Sequence, residues 1–183
     1  MKIVMVHNYY QSGAPSGEDG VFHNEAALLR ARGHDVVTYV RRNDDIGEDG
    51  GRLRAACDVV WARRTYRELA ALLAQERPDV AHFHNIWYLI SPSAYAACRE
   101  AGVPVVQTVH NFRFFCVNGL LMRNGRVCED CLGRLPWRGA LRRCFRDSGA
   151  LSVSVALAEA AHALKGTWRN AVDHYIVLTD FGR

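Results

Sequence analysis

Residues 77–85 read Arg77-Pro78-Asp79-Val80-Ala81-His82-Phe83-His84-Asn85. The proline stops what precedes it. The run that follows, 80–84, is short, apolar and without clean alternation, and His-Asn ends it. Such a run suits a strand buried on both faces, as in a parallel sheet. Working outward, residues 2–7, 35–39 and 105–110 read the same way, and 175–179 makes a fifth run. Between them lie helical patterns at 21–32, 65–75, 91–101 and 152–170. Strands alternating with helices predict βαβ units and an open parallel α/β sheet with helices on both faces. Two stretches break the rhythm. Residues 41–58 are polar and glycine-bearing and read as an irregular connection. Residues 111–150 have little periodicity and form a Cys-rich insertion after the fourth strand. A structureless stretch of that length is usually functional or holds a small structure of its own.

In open α/β sheets, ligands bind outside the carboxyl ends of the strands. Three of those ends carry His-Asn: His7-Asn8, His84-Asn85 and His110-Asn111. Amides and imidazoles exchange hydrogen bonds with hydroxyls, and imidazole titrates near neutrality. One such pair is more often a turn feature than a site; three at the ligand edge favour a site. The loop after the first strand contains Gly13, Gly17, Glu18, Asp19 and Gly20 ahead of a helix, where backbone N–H groups receive anions. Its spacing is not G-x-G-x-x-G, and no acidic residue ends the second strand. Neither nicotinamide nor flavin is therefore expected.

The 183 residues are 49% apolar and 23% charged, with net charge +4. These are ordinary values for one globular domain. Arg134, Arg138, Arg142, Arg143 and Arg146 make a basic cluster, read either as a phosphate- or membrane-facing patch or as a solvated face. The charge is too modest to favour nucleic acid. Residues 2–6 are too short for a secretory core, and no apolar run approaches the length of a membrane helix. The expectation is a cytoplasmic protein with reduced thiols. Cys116, Cys128, Cys131 and Cys144 then form C-x11-C-x2-C-x12-C. Four thiolates with one tight pair suit a structural zinc ion, the alternative being four reduced packing cysteines. Asn124-Gly125 predicts a hairpin turn just before the pair. Cys57 and Cys98 read as small core residues. The insertion also carries Phe112, Phe114, Phe115, Leu120, Leu121, Trp137, Leu141 and Phe145. Exposed together, these would suit a lipid-linked acceptor or the inner membrane face; the alternative is packing onto the sheet.

Four segments in order resemble retaining family-four glycosyltransferases of the GT-B fold. They are the first strand with its glycine loop and helix, then Arg32-Gly33-His34-Asp35-Val36, then residues 77–84, and then residues 102–111. Residues 175–181 resemble the strand that closes the same domain. The resemblance implies a Rossmann-like N-terminal, acceptor-side domain over residues 1–183. It also implies a nucleotide-sugar donor, an acceptor hydroxyl on a polysaccharide, glycolipid or small molecule, and retention of configuration. It puts the 13–20 loop near the donor phosphates and His110 beside the reacting sugar. Glu18 and Asp19 depart from the small pair usual there. Family members carry a second, donor-binding C-terminal domain. The expectation is that this chain lacks it and has no substantial activity alone. A non-catalytic sugar- or partner-binding module with a structural metal is the competing reading.

Overall fold

The computed structural model describes residues 1–13, 16–46 and 51–182. Ala14 and Pro15 of the glycine loop, residues 47–50 of the 41–58 stretch, and Arg183 lie outside the described residues. The chain divides into two compact units, Met1–His110 with Ala171–Arg183, and Asn111–Asn170.

The first unit is the parallel sheet. Its strands are β1 (Lys2–Tyr9), β2 (Asp35–Arg42), β3 (Val80–Phe83), β4 (Val105–Val109) and β7 (His174–Val177), in the order β2-β1-β3-β4-β7. All pair in parallel, with Val6 opposite both Tyr39 and Phe83. Val4, Met5 and Val6 are all fully buried, so residues of both parities are covered and β1 has no solvent face. That is why its apolar residues do not alternate.

Helix α1 (Gly17–Ala31) packs Phe22 and Ala26 on Ile3, Met5, Tyr9 and Val36. It begins a turn before the expected Val21, so Glu18, Asp19 and Gly20 are helical and not part of the loop. A capping box sets the start: Ser16 Oγ accepts from Glu18 N at 3.1 Å, and Asp19 Oδ2 accepts from Ser16 N at 3.0 Å. Gly33, at φ +83°, ends the helix as expected.

The 41–58 stretch is more regular than its composition suggested. A 3-10 turn spans Asn43–Asp45, and α2 spans Gly51–Asp58. Helix α3 (Arg63–Glu76) buries Leu69 and Leu73, and α4 (Ser93–Glu100) buries Ala94, Tyr95, Ala97 and Cys98.

The second unit extends past the expected 111–150 boundary, because it includes α6 (Gly149–Leu164) and α7 (Thr167–Asn170). The single helix expected over 152–170 is split by Gly166, at φ +64°. Strands β5 (Met122–Arg123) and β6 (Arg126–Val127) make the expected hairpin. Asn124 and Gly125 have φ of 51° and 73°, the left-handed pair of a type I′ turn. Helix α5 (Trp137–Leu141) packs with α6. No described helix is long and apolar enough to cross a membrane.

Candidate functional site

The carboxyl ends of β1, β3 and β4 meet the N-terminal half of α1, and imidazoles fill the junction. His7 is fully buried and stacks on Phe22, with centroids 4.8 Å apart and planes 16° from parallel. Its Nε2 donates to Asp19 Oδ1 at 2.8 Å, while Nδ1 accepts from the Asn85 backbone at 3.4 Å. Asp19 therefore serves both the helix cap and the histidine. Burial lowers the His7 pKa, against the opposing pull of Asp19.

His82 and His84 are two apart on an extended segment and share a face. Both turn to Glu25 of α1: His82 Nδ1 is 3.3 Å from Oε1, and His84 Nε2 is 3.5 Å from Oε2. His82 Nε2 bonds Thr108 Oγ1 at 2.8 Å, and His84 Nδ1 bonds His110 Nε2 at 3.0 Å. Burial, reinforced by the neighbouring imidazoles, holds His82 at about 4 and His84 at about 2. Burial also lowers His110, with Glu18 opposing, and raises Glu25. The cluster is thus neutral imidazole at pH 7, arranged to give and take hydrogen bonds and not to carry charge. His110, half-buried, is its outer member. Glu25, His82 and His84 also form the group, among the described residues, whose ligand atoms fall within 4.8 Å of one another.

The asparagines do something else. Asn8 is fully buried and Asn85 nearly so. Asn8 Nδ2 donates to Asn43 Oδ1 at 2.8 Å and to Tyr9 O at 3.0 Å, and its Oδ1 accepts from Leu89 N at 3.0 Å. Asn85 Nδ2 donates to Asn8 O at 2.7 Å, and its Oδ1 accepts from Trp87 N at 3.0 Å. These amides hold the 85–91 loop to the sheet edge and are not turned to a ligand. Asn111 belongs to the second unit, where its Oδ1 accepts from Arg113 N at 3.1 Å.

Gly13, Gly17 and Gly20 are exposed, and a Cβ at any of them would meet no atom within 4 Å. The fold itself does not require glycine there. Ser12 ties the loop to Asp44, its N–H donating to Oδ2 at 3.0 Å.

Sequence reasoning missed Glu25, His82, Asn43 and Gln107. The i, i+2 spacing of His82 and His84 was the available signal for one of them. Gln107 Nε2 donates to His84 O at 2.5 Å, while its Oε1 accepts from Tyr95 OH at 2.6 Å. Nothing local marks a strand glutamine for that task.

Cys116, Cys128, Cys131 and Cys144 of the second unit are half-buried free thiols lining one cavity. Cys98 is buried, and burial raises its thiol to about 12. Cys57 is exposed, contrary to the core role expected of it.

A parallel sheet of this order, with a polar cluster at its carboxyl edge beside a capped helix N-terminus, defines a Rossmann-like α/β domain. The model of the glycosyl transferase 4-like domain matches residues 17–174, and the chain belongs to that family. No curated protein matches it significantly.

Proposed function

We propose that the chain is the acceptor-side domain of a retaining, GT-B-type transferase that moves a sugar from a nucleotide-sugar donor to an acceptor hydroxyl. The observation that carries this reading is the neutral imidazole cluster ending at His110, at the edge where α/β sheets bind ligands. The bond to His84 occupies Nε2 of His110 and leaves Nδ1 for a donor hydroxyl. His84 and Glu25 stand behind it as positioning residues. The open space at Gly13, Gly17 and Gly20 suits phosphates approaching the N-terminus of α1. Transfer needs a closed cleft that holds both donor and acceptor, and residues 1–183 by themselves are expected to turn over little.

The test is sugar transfer by the chain joined to its donor-binding half, across a panel of nucleotide sugars. His110→Ala is expected to lower kcat/KM by roughly 10- to 100-fold, the worth of one lost hydrogen bond in a dry site. An unchanged rate would remove His110 from the site. Brisk transfer by residues 1–183 alone would overturn the half-site reading.

The acceptor we propose is lipid-linked. Phe115, Leu120, Trp137 and Leu141 are exposed in the second unit, whereas Leu121 and Phe145 are buried. Arg138, Arg142 and Arg143 are exposed on the same stretch. Apolar groups interspersed with arginines suit an anionic interface. Flotation with anionic liposomes is expected to carry the chain, and less so after Trp137→Ala with Leu141→Ala. Absence of flotation at low salt removes the lipid-linked acceptor.

A further inference from the structure

Four thiols that lie apart in the chain come together in the second unit. Cys116, Cys128, Cys131 and Cys144 line a cavity of about 20 Å³. Local backbone bonds bring them there. Cys116 N donates to Phe112 O at 2.9 Å, and Cys128 N closes the β5–β6 hairpin on Leu121 O at 2.8 Å. Cys131 lies in the turn that follows, where Leu132 N donates to Glu129 O at 3.0 Å. Cys144 N donates to Gly139 O at 3.0 Å, just past α5.

Three further observations point to a cation at their centre. The cavity rim is basic on balance, since Arg123, Arg138 and Arg142 line it with one carboxylate, Asp130, which pairs with Arg138 and Arg142. Four thiolates around a divalent ion leave a net dianion, and guanidinium groups are the natural counter-charge. A Cβ on Gly139 would stand 2.5 Å from Val117 Cγ2, so glycine alone fits there. Finally, the segment buries little: Leu120, Met122, Val127, Leu132 and Leu135 are all exposed. A stretch with so small an apolar core needs a staple, and no disulfide supplies one among the described residues.

We infer that Cys116, Cys128, Cys131 and Cys144 bind one zinc ion as a closed, structural tetrathiolate site that orders residues 116–144. In the present geometry no three of these sulfurs fall within 4.8 Å of one another. Zinc–sulfur bonds of about 2.3 Å therefore require the side chains to rotate inward on binding. The site takes no part in sugar transfer and stands whether or not that reading holds.

The test is elemental mass spectrometry of the full, tag-free chain, purified under reducing conditions without chelator. The expected result is about one zinc per chain, released together with four thiols by a mercurial reagent. Cobalt substitution should give thiolate charge-transfer bands and tetrahedral d–d bands. The paired change Cys128→Ser with Cys131→Ser should abolish binding, while Glu25→Gln, in the other cluster, should keep it. If the serine variant fails to fold, the cobalt spectrum of the unmodified chain still decides the ligand set. Absence of metal after anaerobic reconstitution, with Cys116, Cys128, Cys131 and Cys144 reacting at once, overturns the inference. So does an iron–sulfur spectrum, or zinc lost in Glu25→Gln and kept in the serine variant.

Discussion

Replacing Asn8 by alanine is expected to cost about 3–5 kcal/mol, through an orphaned buried donor and the space left by the amide. The residue has no exposed surface. Its Oδ1 is the acceptor for Leu89 N, and its Nδ2 joins Asn43 of the 3-10 turn to the end of β1. Asn43 Oδ1 keeps one other donor, Tyr88 N at 3.3 Å, but Leu89 N loses the acceptor Asn8 supplied. Against a typical domain stability of about 5–15 kcal/mol, that loss is large. Urea unfolding of both chains measures it. A cost under about 1 kcal/mol would mean that the 85–91 loop finds other acceptors, and that Asn8 is not its anchor.

Replacing Glu159 by glutamine is expected to make the second unit more stable, by an amount that grows as pH rises from the ordinary carboxylate value to about 8. Glu159 lies on α6, is 1% exposed, and neither carboxylate oxygen has a hydrogen-bond partner. Burial raises its pKa to about 8, against the opposing charge of Arg113. Between the ordinary carboxylate value and about 8, the folded chain holds a proton that the unfolded chain has released. Stability is therefore complete at acid pH and falls as pH rises through that window, by up to about 1.4 kcal/mol per unit. Glutamine keeps the shape and removes the titration. Thermal unfolding from about pH 4 to 9 should show the two proteins level at the acid end, the variant drawing ahead as pH rises to about 8, and a constant gap beyond it. Parallel curves would show that Arg113 already holds the carboxylate ionised in the fold.

The inner strands were legible because burial on both faces leaves unbroken runs of Val, Ile and Phe, whereas the edge strands β2 and β7 expose alternate residues and are not covered on both sides as expected. The helix starts were less legible. Gly17 and Gly20 made the first turn of α1 look like loop, although Ser16 and Asp19 spelled a capping box. Gly51 and the charged residues around it concealed α2 in the same way. The His-Asn pairs were recognised, but the two members were read as one rim. Successive side chains on an extended strand point to opposite faces. His7 therefore meets Phe22 on α1, while Asn8 meets Asn43 and Leu89. The histidine half of the reading matches a cluster and the asparagine half a scaffold. Glu25 stayed hidden because nothing local distinguishes one helix carboxylate from another; its meaning comes from which strand lies beneath it.

The last ladder of the sheet joins partners far apart in sequence. Val105 and Asp173, at its start, are 68 residues apart, with the whole second unit between them. Left unstructured, that segment would impose the entropy of a long loop on every attempt of β7 to find β4. A compact segment removes most of that freedom. Compaction of the second unit, however it is achieved, brings Val105 and Asp173 within reach of each other and so favours the pairing of β7 with β4. The edge of the sheet thus depends on a second unit that contributes no strand to it.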